Sequence, residues 1–149
     1  MLIVTRSRVS HTIAPSNGPV YAMNLEKVIF AFFIISAATL NFGFVIGEID
    51  NPLHHNLWEF FAAFVVNVIA TVLKFGDRTQ VGAMHLATSL VALLQLAAAA
   101  LVWTLAPVTP DGVLAPTAVT SIVSLSAGAL LANIISVVIL IVETTLQRR

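Results

Sequence analysis

Cysteine is absent from this sequence of 149 residues, and charged residues are scarce. The absence of cysteine excludes disulfides, thiolate catalysis and cysteine-ligated zinc or iron–sulfur centres. Charged residues make up 9% of the chain, whereas an ordinary soluble domain has about 25%. Because 58% of the residues are hydrophobic, a soluble fold of this size could not bury its apolar surface. The composition therefore indicates a membrane protein.

Motifs for nucleotide binding and nucleophilic catalysis are also missing. The chain has no GxxxxGKS/T and no GxSxG, and without cysteine it cannot attach haem covalently. His85 could ligate a haem or a pigment, but a lone membrane histidine is more typical of a hydrogen-bonded or interfacial residue. We therefore expect no catalytic residue, no cofactor and no nucleic-acid partner.

Four long apolar runs dominate the chain. Each is long enough to cross, as a helix, a hydrocarbon layer about 30 Å thick. We predict helices over residues 28–47, 57–75, 82–106 and 117–142. They fit into a single transmembrane domain, residues 23–149, with short connections. Residues 1–22 are predicted to form a disordered or loosely structured tail, which an upstream start before Met23 would explain.

Charge differs in sign between the two ends of these runs. If the runs cross alternately, one side receives all seven basic residues, Arg6, Arg8, Lys27, Lys74, Arg78, Arg148 and Arg149. The other side receives four acidic residues, Glu48, Asp50, Glu59 and Asp111. Positive residues near membrane ends are retained in the cytoplasm. We therefore predict an all-α, antiparallel bundle of four transmembrane helices with both termini cytoplasmic.

Small residues recur at four-residue spacing on two of the predicted helices. In lipid, this spacing lets two helix backbones approach closely. The first helix carries the shorter row, Thr39, Gly43 and Gly47. The fourth helix carries the longer row, Thr120, Ser124, Gly128, Ala132 and Ser136. We predict that each row is a flat packing stripe, facing another helix of this chain or a separate membrane partner.

One amide side chain falls within each predicted span: Asn41, Asn67, Gln95 and Asn133. Asn67 and Gln95 lie at similar depth on helices joined by a short hairpin, so we expect a hydrogen bond between them. Amides that join helices in this way are favoured over a conduction path. The alternative is a polar stripe on the second helix, from Glu59 through Asn67 to Lys74, that lines an ion route. The simpler interpretation is an interfacial acid and a lysine that reaches the surface.

His54, His55 and Glu59 form the cluster with the most metal-ligand character. His55 and Glu59 are four residues apart and share a helical face if the helix begins early enough. A metal site usually needs three or four ligands at defined geometry, and these residues lie on a short loop. We therefore expect a solvated, pH-sensitive loop in place of a metal site.

Four strings, NFGF, GEIDNP, HHN and ATVLKFGDRTQ, occur between residues 41 and 80. Through them the segment from Met23 to about Trp103 resembles a family of small proteobacterial inner-membrane proteins classed as a domain of unknown function. The resemblance implies a multi-pass protein of the bacterial inner (cytoplasmic) membrane. It implies no activity and no functional residue.

The two rows of small residues offer more packing surface than four short helices need for their own bundle. We therefore expect a non-enzymatic accessory or assembly subunit of a larger membrane transport complex, or a homo-oligomer, with lipid and a membrane protein as partners. The alternative is a homo-oligomeric ion channel or carrier lined by the second helix. An enzyme ranks third because the topology separates His85 from His54, His55 and Glu59.

Overall fold

The computed structural model describes residues 25–146, and the predicted tail over residues 1–22 lies outside them. The described chain forms four α-helices, α1 Leu25–Val45, α2 Leu57–Lys74, α3 Gln80–Leu105 and α4 Pro116–Leu146. A short 3-10 turn, Pro52–His54, lies between α1 and α2. All four α-helices are long and apolar enough to span a membrane. The prediction of an all-helical protein with four candidate spans is confirmed.

Local side-chain chemistry explains where three of the helices start. The Asn56 side chain accepts a hydrogen bond from the Trp58 N–H at the start of α2, and Thr79 accepts one from Gly82 at the start of α3. Pro116 is the first residue of α4, a position at which the missing N–H has no cost. With 31 residues, α4 is about 46 Å long and extends past a hydrocarbon layer of about 30 Å.

The first helix ends earlier than the predicted boundary at residue 47. It stops at Val45, and Gly47 lies in the turn that follows, with φ of 132°. A Cβ added at Gly47 would lie 2.8 Å from the Cβ of His54, in a backbone conformation that only glycine adopts easily. Gly47 therefore serves this turn, and its assignment to a helix-packing row is wrong.

Each helix makes extensive contacts with two others, so the four helices form a closed ring. Extensive contacts join α1 to α2, α2 to α3, α3 to α4 and α4 to α1, and the α3–α4 contact is the largest. Thr88 of α3 hydrogen-bonds to Ser136 of α4, and Gln95 of α3 lies over Gly128 of α4. Residue numbers therefore rise along α3 as they fall along α4.

Apolar side chains cover the outside of the bundle. Phe32, Leu94 and Leu101 are all more than 60% exposed, while fully buried positions include Asn41, Asn67 and Asn133. This distribution is opposite to that of a soluble bundle, and it suits helices surrounded by lipid. Surrounding lipid accounts for the exposed apolar side chains, but it does not explain the buried polar ones.

Candidate functional site: a polar interior between a charged pocket and an aromatic cluster

An open pocket of about 570 Å³ lies at one end of the bundle, where the start of α1, the end of α4 and the α2–α3 hairpin meet. We call it the charged pocket because it is lined by three basic side chains, Lys27, Lys74 and Arg78, and three acidic ones, Glu26, Asp77 and Glu143. Equal numbers of the two signs leave the pocket with no strong preference for cations or anions.

Glu143 connects the charged pocket to the interior of the bundle. Its carboxylate forms an ion pair with Lys27 across the α1–α4 contact. The other carboxylate oxygen lies 3.8 Å from Nε2 of His85, which is completely buried on α3. His85 also packs against Phe30 of α1, with ring centroids 4.9 Å apart. Three helices therefore converge on a titratable group directly behind the pocket.

Lys74 is buried at the floor of the same pocket instead of reaching the surface. Its ammonium lies 4.5 Å from the centroid of the Phe30 ring and donates a hydrogen bond to Asp77 at 3.2 Å. Only 6% of its side chain is exposed. The simpler interpretation of Lys74 as a snorkelling lysine is wrong, because an aromatic face and a carboxylate hold the charge inside the protein.

Asp77 organises the α2–α3 hairpin that closes one side of the pocket. Its carboxylate accepts hydrogen bonds from the N–H and the hydroxyl of Thr79 and from Lys74. These bonds, those from Thr79 foremost, lower the pKa of Asp77 from 3.8 to about 2. The carboxylate also fills the space beside Gly82, where an added Cβ would lie 2.1 Å from the Asp77 carboxyl carbon. Glycine at position 82 therefore leaves room for this carboxylate.

Beyond the pocket, a set of polar side chains with buried nitrogen or oxygen atoms extends along the middle of the bundle. Ten of their nitrogen and oxygen atoms have no hydrogen-bond partner among residues 25–146. The side chains that carry these atoms, together called the polar interior, are Asn41, Asn67, His85, Ser89, Gln95, Ser126 and Asn133. An unsatisfied polar group in a hydrocarbon environment costs several kcal/mol, and a water molecule or a polar solute beside these atoms would lower that cost.

The members of the polar interior lie at graded depths. Ser89 is one helical turn beyond His85, about 6 Å deeper into the bundle, as the rise per residue indicates. On α4, Asn133 lies about 15 Å from Glu143 along the axis, and Ser126 about 25 Å. The polar interior therefore starts at the charged pocket and extends through most of the membrane thickness.

Each helix contributes one amide to the polar interior, but the expected bond between Asn67 and Gln95 does not form. Asn67 donates instead to the Ala63 carbonyl of its own helix, at 2.7 Å. Gln95 faces α4, where its amide lies against Gly128. Both amide atoms of Asn41 and both of Asn133 are unpartnered within the described chain. These four amides therefore do not join the helices to one another.

The buried face of α2 is the polar stripe considered from the sequence. Asn67, Thr71 and Lys74 are all buried, with Thr71 donating to the Asn67 carbonyl. Glu59 lies half-buried at the far end, its carboxylate 3.4 Å from where a Cβ on Gly43 would be. The stripe faces the interior of its own bundle, so it offers no lining for a pore between copies of the chain.

An aromatic cluster, Phe44, Phe60 and Trp103, closes the opposite end of the bundle. Phe60 stacks on Trp103 with centroids 5.6 Å apart, and Phe44 lies 5.2 Å from Phe60. The cavity beside these rings measures about 20 Å³, room for about one water molecule. Aromatic rings therefore close the end of the bundle that lies opposite the charged pocket.

His55 anchors the loop next to the aromatic cluster. It is buried, with Nδ1 at 2.7 Å from the Phe44 carbonyl oxygen and Nε2 at 2.9 Å from that of Glu48. A neutral ring can donate to one of these carbonyls, and a doubly protonated ring to both. His55 thereby ties the end of α1 to the start of α2.

The three weak metal candidates, His54, His55 and Glu59, each interact with different groups. His55 directs both ring nitrogens at backbone carbonyls, and Nδ1 of His54 accepts a hydrogen bond from the Glu48 N–H. Glu59 lies against Gly43. Within residues 25–146, no group of three or more histidine, aspartate, glutamate or cysteine side chains is arranged to hold a metal ion.

The longer row of small residues winds around α4 and does not form one stripe. Ala132 and Ser136 are buried, Gly128 is half-buried beneath Gln95, and Thr120 and Ser124 are exposed. Four residues turn a helix by 400°, so such a row drifts by about 40° at each step. The prediction of a flat stripe is therefore wrong. On α1, Thr39 and Gly43 are also exposed.

Sequence reasoning missed Ser89, Ser126 and the contact between Glu143 and His85. The available signal was the true helical repeat, in which intervals of three and four residues alternate. Along α4 the buried positions follow this repeat, and they include Ser126, Asn133 and Ser136. The four-residue row shares Ala132 and Ser136 with these buried positions, but it also includes the exposed Thr120 and Ser124.

Comparison with known protein families shows which family this chain matches. Residues 54–144 match the family described as Family of unknown function (DUF6394). The chain belongs to this family. The DUF6394 region includes α2, α3 and nearly all of α4, so the fourth helix belongs to the family pattern, beyond the segment whose resemblance ended near Trp103. No curated protein and no solved structure matches the chain.

Proposed function

We propose that this DUF6394 protein is a non-enzymatic channel or carrier that moves a small solute through the interior of a single four-helix bundle. The observation that carries the proposal is the polar interior, whose ten unpartnered atoms lie within a lipid-covered bundle. Water or a polar solute satisfies such atoms at much lower cost than vacuum does. The open charged pocket supplies the entrance.

The proposed topology places this entrance in the cytoplasm. The helices would alternate in direction across the membrane, with Lys27, Lys74 and Arg78 retained on the cytoplasmic side. Both termini would be cytoplasmic, and the membrane would be the inner membrane of a bacterium. A reporter fused at Gly112 should then be exported and one fused at the C-terminus retained, whereas the opposite pattern would reverse the two sides.

Thiol labelling tests whether the interior is hydrated, and the cysteine-free chain provides a clean background. Ser89→Cys replaces a completely buried hydroxyl with a thiol of similar size, and Leu94→Cys places one on the lipid-facing side of α3. A water-soluble methanethiosulfonate reagent reacts with the thiolate, which forms only where water has access. We expect fast labelling at position 89 and slow labelling at position 94. Equal, slow labelling at both positions would refute the proposed path.

A second function, an accessory subunit or homo-oligomer, is supported by the small residues that remain on the outside. Thr39 and Gly43 of α1 and Thr120 and Ser124 of α4 are exposed, and small residues permit close helix approach in lipid. Gly128→Leu is unsuitable as a test because the new side chain would displace Gln95 within the bundle. Ser124→Leu should abolish crosslinking to a membrane partner or second copy without affecting insertion. Unchanged crosslinking would contradict this role.

A further inference from the structure

The middle of the bundle contains polar groups but no charged ones. Between Glu143 and His85 at one end and Glu59 at the other, the described helices carry no charged side chain. The unpartnered groups of this stretch are amides and hydroxyls on Asn41, Asn67, Ser89, Gln95, Ser126 and Asn133. An ion entering this stretch would lose its hydration without meeting a counter-charge, which is costly at membrane depth.

Amides and hydroxyls match a different class of solute. An amide presents both an N–H₂ donor and a carbonyl acceptor, and a hydroxyl can act as either. Both amide atoms are unpartnered on Asn41 of α1 and on Asn133 of α4, so two neighbouring helices each offer a donor and an acceptor. A solute that carries donors and acceptors but no net charge can replace its water hydrogen bonds with these groups at each depth.

The charged pocket is consistent with the same solute class. Its three basic and three acidic side chains cancel in sign, so the entrance does not concentrate cations or anions. We propose that the polar interior binds and passes small uncharged hydrogen-bonding solutes, of the size of urea or glycerol, in preference to ions. This inference rests on the proposed function and names its substrate class.

Reconstituted liposomes provide the test. Urea and glycerol entry are followed by light scattering after rapid mixing, and potassium and chloride flux by a potential-sensitive dye. We expect urea or glycerol to enter faster than into protein-free liposomes, with ion flux at the protein-free level. Asn133→Leu keeps the branched shape and the number of side-chain heavy atoms but removes both hydrogen-bonding atoms. We expect about tenfold slower entry, the factor that ~1.4 kcal/mol of barrier produces. Gln80→Leu, an exposed amide at the start of α3, is the control and should leave entry unchanged.

If these amides served only to stabilise the fold, their replacement would lower stability and leave solute entry unchanged. The proposed role predicts the opposite. Replacing an unpartnered buried polar group with an apolar one of similar shape is neutral or stabilising, so Asn133→Leu should melt at or above the parent temperature while entry slows. If Asn133→Leu does not fold, Asn41→Leu on α1 tests the same argument. Lower stability together with unchanged entry in the variant that folds would overturn the inference.

The remaining outcomes separate the inference from the proposed function. Potassium or chloride flux that the amide substitutions reduce would overturn the uncharged class and leave the hydrated path intact. Normal labelling of Ser89→Cys without entry of urea or glycerol would also overturn the substrate class alone. Slow labelling of Ser89→Cys combined with no entry would overturn both.

Discussion

The charged pocket and the aromatic cluster lie at opposite ends of one bundle, and they close it with opposite chemistry. At the pocket end, six charged side chains surround about 570 Å³ of open space. At the other end, stacked rings leave about 20 Å³. Charged groups remain stable only where water or partners reach them, whereas aromatic rings gain by excluding water. The two ends of the bundle therefore differ both in charge and in open volume.

Removing a ring from the aromatic cluster should have the largest effect and would break this asymmetry. Phe44 is completely buried against Phe60 and Trp103. We expect Phe44→Ala to destabilise the protein by about 3–5 kcal/mol, the usual cost of deleting a buried aromatic ring. Thermal unfolding in detergent, followed by helical circular dichroism, measures this. Phe42→Ala, on the exposed side of the same helix, is the matched control.

The same substitution also tests the aromatic cluster as a barrier. In sealed vesicles, a thiol at Ser126 should react from the pocket side alone, because the rings block the other side. In combination with Phe44→Ala we expect reaction from both sides. If labelling of the double variant stays one-sided, something other than these rings closes that end.

At the pocket end, adding one methyl group to the hairpin should have the next largest effect. Gly82→Ala would place a Cβ 2.1 Å from the Asp77 carboxyl carbon, and we expect a loss of about 1–3 kcal/mol, as for other overpacked sites. Gly76→Ala is the control because no atom lies within 4 Å of its added Cβ. Equal melting temperatures for the two variants would show that the hairpin can rearrange without cost.

His55 offers a smaller perturbation beside the aromatic cluster. His55→Leu removes the ring nitrogens that face the Phe44 and Glu48 carbonyls, and we expect a loss of about 1–2 kcal/mol from the unpaired acceptors. His54→Leu, at an exposed neighbouring position, should have little effect. The melting curves of the two variants measure this difference. Equal losses of stability would contradict the role assigned to His55.

Acid should produce the smallest effect, at the pocket end. The pKa of Asp77 is lowered from 3.8 to about 2, so its ionised form stabilises the folded state above pH 3.8. This contribution is lost as the pH falls from about 4 to about 2, because the unfolded chain takes up its proton first. We expect the parent to be more stable than Asp77→Asn at pH 6 and the difference to vanish near pH 2. A difference independent of pH would contradict the assigned role of the carboxylate.

Sequence periodicity and charge predicted more about the helices than about the site. The apolar runs predicted all four helices that are long enough to span a membrane. The bond expected between Asn67 and Gln95 failed because depth alone does not determine which way a side chain points around its helix. The row beginning at Thr120 failed for a related reason, since a four-residue repeat does not follow one face of an α-helix.

The sequence by itself determined that this DUF6394 chain has four helices able to span a membrane, because apolar length and scarce charge depend on composition along one segment at a time. Only the tertiary structure decided which polar groups share the interior. That outcome depends on the rotation and register of each helix against two neighbours, which bring Glu143 to His85, Lys74 to Phe30 and Gln95 to Gly128. Such contacts join residues far apart in the chain, and no pattern within a single span specifies them.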